Sequence, residues 1–170
     1  MNISKVLCLL FTISMILTSH SLMAASGKSL YEGVCRETQN PAGCLQLLRH
    51  DPQITSAKNY FDLSRFILEF GEKKATEGKE YILQIAKEHP TPQITLCAKN
   101  TYGSLPTSFI IARDEMINDP KSATYDALVI GDGPAYCAEA FRKANVENPP
   151  INKMMTLLSH IAYYAIEHLT

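Results

Sequence analysis

The chain has 170 residues, long enough for one domain with a sizeable core, and 46% apolar against 19% charged residues is a globular composition that excludes a disordered chain. Its 16 Lys and Arg against 17 Asp and Glu give a formal charge of -1 with no basic stripe, which excludes a nucleic-acid partner and an acidic membrane surface from the expectations. Trp is absent, so the core must be assembled from Leu, Ile, Phe, Tyr, Ala and Met.

At the N-terminus Lys5 is followed by the apolar run Val6 to Leu17 and then by the small residues Ala24, Ala25 and Ser26. That is the order of a secretory signal, with an apolar run too short for a comfortable membrane span. Residues 1–25 are therefore read as a signal peptide, and 26–170 as a secreted, extracellular, soluble monomer. Cleavage removes one cation, Lys5, and no acid, leaving 15 cations against 17 anions. Cys8 is lost with the signal, which leaves Cys35, Cys44, Cys97 and Cys137. An even number in an oxidising compartment points to disulfides, and four cysteines allow three pairings. Locality favours Cys35 with Cys44, and by remainder Cys97 with Cys137. Zinc is the alternative use, yet none of these cysteines are two to four residues apart and no His stands beside them at ligand spacing.

Pro41 and Gly43 between the first two cysteines suit a short helix, a turn and a second helix, closed by a disulfide. Asp51-Pro52 ends this hairpin. From about Ser56 to His89, Tyr60, Leu63, Ile67, Phe70, Ile82 and Ile85 recur at helical spacing, predicting one long helix. Gly71 and Gly78 each cost about 1 kcal/mol relative to Ala in a helix and predict a bend or break there. Next, Ile94, Ala98, Tyr102, Leu105, Phe109, Ala112 and Met116 keep steps of three and four, an amphipathic helix with a kink expected near Tyr102 to Leu105 because of Pro106. A third pattern runs Ala123, Ala127, Ile130, Cys137 and Phe141. Gly131-Asp132-Gly133-Pro134 interrupts it as a helix break; no strand precedes and no Lys follows as a phosphate loop requires. After Pro149-Pro150 the last helix reads Ile151, Met154, Leu158, Ile161, Ala165 and Leu169. Four apolar stripes joined by short proline-marked turns predict an all-α fold, an antiparallel up-and-down four-helix bundle with an N-terminal disulfide-closed helical hairpin.

Chemistry-bearing patterns are sparse. Ser and Thr lie in no nucleophile-elbow context, and no carboxylate pair or metal-ligand spacing is recognisable. His160 and His168 fall eight apart on the last helix without an i+4 partner histidine. The expectation is a binding protein rather than an enzyme, with no cofactor, no metal and no catalytic residues. The mature chain has no Asn-x-Ser/Thr acceptor for N-glycosylation.

Cys35-x-x-Thr38-x-x-Pro41-x-x-Cys44, followed by Leu48 and Asp51-Pro52, resembles the N-terminal hairpin signature of the plant inhibitors of pectin methylesterase and invertase. Cys97 in the second long helix, Cys137 in the third with Phe141 four residues on, and the apolar final helix are similar to that family's pattern across the mature chain. The resemblance implies a pectinesterase-inhibitor-like domain over 26–170, with a hairpin over 26–52 and a bundle over 53–170. It also implies disulfides joining first to second and third to fourth cysteines. Functionally it implies a secreted inhibitor that forms a one-to-one complex with pectin methylesterase and blocks its substrate cleft in the apoplast or cell wall. Invertase inhibition, in the wall or vacuole, is the alternative within the family. Invertase inhibitors carry a Pro-Lys-Phe turn before the third bundle helix, where this chain has Pro120-Lys121-Ser122, a candidate partner-facing turn. Serine lacks the apolar area of an anchoring aromatic, a loss of about 2 kcal/mol at a central contact, which tilts the reading to pectin methylesterase. The same three residues also read simply as a helix start with Pro near N1. Two further departures are Thr101, where the family has a Tyr four residues after the third cysteine while Tyr102 follows, and Tyr136 before Cys137 in place of Thr. A different class, a non-inhibitory secreted bundle that is structural or carries a small ligand, would be marked in its carrier form by a void inside the bundle.

Overall fold

The structure is a computed structural model that describes residues 29–170; the expected signal peptide, residues 1–25, lies outside the described residues. Helix α1 (Leu30–Glu37) and helix α2 (Pro41–Leu48) form the hairpin. Its turn is built locally. Thr38 Oγ1 donates to the Cys35 carbonyl at 2.8 Å, and Asn40 caps α2 by accepting from the Gly43 N–H at 3.0 Å, with Pro41 in the first turn where its missing N–H costs nothing. Cys35 and Cys44, both buried, are disulfide-bonded with Cα atoms 5.4 Å apart. Asp51 then accepts from Gln53 and Ile54 N–H to start the short α3 (Pro52–Ser56).

Helix α4 (Tyr60–Glu88) is 29 residues long, capped by the Asn59 side chain on Asp62 N–H. It runs unbroken through Gly71 and Gly78, so the helix does not break there. Both glycines are buried where neighbouring helices come close: a methyl at Gly71 would overlap the Phe109 ring, and one at Gly78 would lie 2.9 Å from Tyr102 and Ile151 carbons. Their purpose is close helix approach, and the packing gained offsets the loss of helix propensity.

The second arm is α5 (Pro92–Leu96), a π turn over Cys97–Thr101, and α6 (Tyr102–Glu115). The irregularity expected near Tyr102 to Leu105 falls one turn earlier, at the π turn, while α6 continues through Pro106. In that turn the Tyr102 N–H donates to the Cys97 carbonyl five residues back. The wider turn gives Tyr102 the place above Cys97 that a fourth residue takes in a regular α-helix.

The third arm is α7 (Pro120–Val129) and α8 (Asp132–Lys143), with the break at the glycine-rich stretch; the fourth is α9 (Pro150–Glu167). Ser159 on α9 sits at this break, its hydroxyl 2.7 Å from the Ala127 carbonyl and 2.9 Å from that of Leu128, which also accepts from the Gly131 N–H, so it ties α9 to the end of α7. Helix α8 ends with Asn145 at φ 55° and the Val146 N–H donating back to the Phe141 carbonyl, a left-handed cap at a residue type that tolerates it. Cys97 and Cys137 join the second and third arms, Cα atoms 5.5 Å apart.

Packing closes the arms into an all-α four-helix bundle: α4 lies against α6 and α9, and α7 against α6 and α9, so the α6/α7 seam and the α4/α9 seam are on opposite sides. The hairpin rests on α9 and α4. All seven residues of the Ile94 to Met116 stripe are buried, as are Ala123, Ala127, Ile130, Cys137 and Phe141. In α9 the buried face is turned relative to the expected stripe. Leu158, Ile161 and Ala165 are buried with Met155, Ala162 and Ile166, whereas Ile151, Met154 and Leu169 are only half-buried. Buried Asn152 accepts from the Tyr102 hydroxyl at 2.7 Å and donates to Asn148 at 2.7 Å. Burial pushes the Tyr102 phenol well above its ordinary pKa.

Candidate functional site

Helix α7 buries Ala123 and Ala127, yet it also carries Tyr125, Leu128 and Val129 out of phase with that stripe, at i, i+3 and i+4 on the outer surface. Tyr125 is 66% exposed, and Ile117, in the turn between α6 and α7, is 63% exposed. Ile111 on α6 is exposed too, and with Val129 it lines a shallow groove of about 160 Å³ along the α6/α7 seam. Ser108, Asp126 and Ile130 complete the lining. Large apolar side chains exposed side by side make this face the candidate contact surface. The tyrosine supplies a large apolar ring with a polar tip, the residue type favoured at the centre of protein interfaces.

Pro120, Lys121 and Ser122 form the first turn of α7 at one end of this face. Lys121 and Ser122 are exposed. The Ser122 N–H and hydroxyl both donate to the Asp119 carboxylate, at 3.2 and 2.6 Å, and Pro120 occupies the first helical turn, so the local arrangement is a capped helix start. These hydrogen bonds hold the Asp119 carboxyl below the usual carboxylate range. Glu115, at the end of α6, is displaced the other way, by burial first and then by the carboxylates of Asp126 and Asp119. Its Oε2 is buried with no hydrogen-bond partner among the described residues. Glu115 and Asp126 are thus a close acid pair between α6 and α7. On the inner side Arg113 pairs with Glu72 at 2.9 Å and ties α6 to α4.

The histidines are placed apart. His168 stacks on Tyr60, ring centroids 4.0 Å apart, and lies 3.1 Å from Glu37 Oε1, which fastens the end of α9 to the hairpin and to α4. His160, two turns earlier, lines a different cleft beside α2. Among the described residues no three His, Cys, Asp or Glu side chains gather as a metal site, and no helix is long and apolar enough to cross a membrane.

The sequence reading did not find the exposed apolar face. Its signal was present in α7, whose apolar residues run nearly all round the helix instead of keeping to one stripe. The bundle's own core needs only Ala123, Ala127 and Ile130 from that stretch, so Tyr125, Leu128 and Val129 are surplus to it.

The described residues thus make a small all-α bundle stapled by two disulfides, with exposed apolar side chains on α6 and α7. No family model and no curated protein matches the chain. Among solved structures it is similar to a mutant form of a pectin methylesterase inhibitor from Arabidopsis, with a TM-score of 0.67 and 19% identity over 82% of this chain and 97% of that one. The likeness spans both hairpin and bundle and is a likeness of fold.

Proposed function

We propose that this protein is a secreted, extracellular inhibitor of pectin methylesterase that acts as a monomer by one-to-one steric blockade of the enzyme's substrate cleft. The observation that carries the reading is the fold shared, over nearly the whole length of the other chain, with a pectin methylesterase inhibitor. The hairpin motif from Cys35 to Cys44 supports it from the sequence side. Inhibition of this kind needs a rigid surface rather than reactive groups: the two disulfides preorganise the bundle, so little ordering entropy is lost on docking. The exposed face of α6 and α7, centred on Tyr125 and ending at the Pro120-Lys121-Ser122 turn, is the docking surface in this reading. Ser122 is engaged as a donor to Asp119, the cap of α7, and presents no apolar tip, which favours pectin methylesterase over invertase as the target.

The test is a paired activity assay of the oxidised mature protein against a plant pectin methylesterase and an acid invertase. Loss of ester hydrolysis with sucrose hydrolysis intact is the expected result. Loss of invertase activity alone would reassign the target, and inhibition of neither across several isoforms of each would overturn the inhibitor reading.

A further inference from the structure

On the side of the bundle opposite the α6/α7 seam, α2, α4 and α9 converge around a cleft of about 1070 Å³. Its size is at the upper end of small-molecule sites, which are on the order of 300–1,000 Å³. The floor is apolar: Leu47 comes from α2, Phe70 from α4, and Met154 and Leu157 from α9, all half-buried. Met154 and Leu157 lie at the edge of the core, partly buried against it. Above the floor stand Lys73, Lys74 and Lys153. Lys74 pairs with Glu77 at 2.6 Å, while Lys73 and Lys153 make no ion pair among the described residues. The one carboxylate in the lining, Asp51, is already engaged by the Gln53 and Ile54 N–H groups as the cap of α3. A chain of net charge -1 thus concentrates three lysines against one committed acid around an apolar floor.

This complementarity selects a ligand with one anionic end and an apolar body. The floor is mainly aliphatic, Phe70 being its one benzene ring, which suits an alkyl chain; a sugar acid would need stacking faces and converging hydrogen bonds. An inorganic anion would leave the floor unused. We propose that the cleft binds an anionic amphiphile, a long-chain carboxylate whose alkyl body lies on Leu47, Phe70, Met154 and Leu157 and whose head group pairs with Lys73 and Lys153. The site lies outside the bundle's core, on the side away from the proposed enzyme-facing surface. It stands independently of the inhibitor reading.

Calorimetric titration of the oxidised mature protein with dodecanoate, below its micellar concentration, tests the proposal. Dodecylammonium, an acidic oligosaccharide and an acidic peptide are titrated in parallel. One dodecanoate per protein is expected, with dodecylammonium weaker by at least about tenfold, as befits loss of a charge-assisted contact, and no saturable heat from the oligosaccharide or peptide. Lys73→Glu with Lys153→Glu, both exposed positions, should weaken dodecanoate by about tenfold or more while the thermal melt stays unchanged. As a second readout, amide NMR shifts induced by dodecanoate should centre on α2, α4 and α9. Absence of saturable binding would overturn the proposal. So would equal affinity for the ammonium amphiphile, full binding by the double variant, or tighter binding of the oligosaccharide or the peptide.

Discussion

Replacing Gly71 with alanine should destabilise the protein although it removes one of the poorest helix formers from α4. On propensity alone the change gains about 1 kcal/mol. The added methyl would overlap three atoms of the Phe109 ring, and Phe109 is wholly buried between helices and cannot swing into solvent. Overpacking of a tight core costs about 1–3 kcal/mol, and contact with so many ring atoms places this site at or above the top of that range. The net loss should be about 2 kcal/mol, a fall in Tm of roughly 4–8 °C for a domain of this size. Gly103 is the internal control: it lies in α6, and nothing stands within 4 Å of where its Cβ would be. Gly103→Ala should therefore gain up to about 1 kcal/mol and raise Tm by roughly 2–4 °C. Both variants are compared by thermal unfolding followed by far-UV circular dichroism, and adding Phe109→Leu to Gly71→Ala should recover part of the loss. If both glycine variants rise in Tm alike, the close approach of α4 to α6 is refuted as the reason for Gly71.

Three further outcomes follow from particular contacts. Tyr102→Phe removes the hydroxyl that Asn152 accepts from and leaves a buried amide oxygen short of a partner; chemical denaturation should show a loss of about 1–3 kcal/mol. Glu115 keeps its proton to a higher pH in the folded chain than in the unfolded one, so its contribution is complete below the ordinary carboxylate pKa and is lost as pH rises through the raised value. Glu115→Gln should accordingly raise Tm near neutral pH and change it little in acid, and an equal shift at both ends of a pH series would refute the acid pair. Cys97→Ser with Cys137→Ser opens a cross-link of sequence separation 40, against 9 for Cys35 with Cys44. In the chain-entropy model these are worth about 4 and 3 kcal/mol, so denaturant midpoints should fall further for the first pair.

The all-α class and most core positions were legible because they depend on local periodicity. The Ile94 to Met116 stripe was read residue for residue, even across a π turn, because the apolar spacing follows the helix wherever it widens. Gly71 and Gly78 were misread as breakers, since what justifies them is a ring and side chains from α6 and α9 that arrive only in the folded chain. Helix α9 was misphased because it is apolar on more than half its circumference: it faces the bundle on one side and the hairpin cleft on the other. Buried Asn152 and Ser159 further disguise its core face, each satisfied by a partner more than thirty residues away in sequence. The outer face around Tyr125 needed tertiary structure to be seen, because an apolar residue is surplus only once the core is known to be full.

The central claim is tested most directly by mixing the oxidised mature protein with a plant pectin methylesterase while recording both ester hydrolysis and, by light scattering, the mass of the complex, for the native chain and for Tyr125→Asp. The expected result is hydrolysis falling in proportion to added protein until it stops at one equivalent, with a one-to-one complex in solution, and roughly thirtyfold weaker inhibition by the variant, as loss of an interface anchor dictates. Undiminished hydrolysis in excess protein with no complex would contradict the inhibitor reading, and equal inhibition by Tyr125→Asp would contradict the α6/α7 face as the surface that carries it.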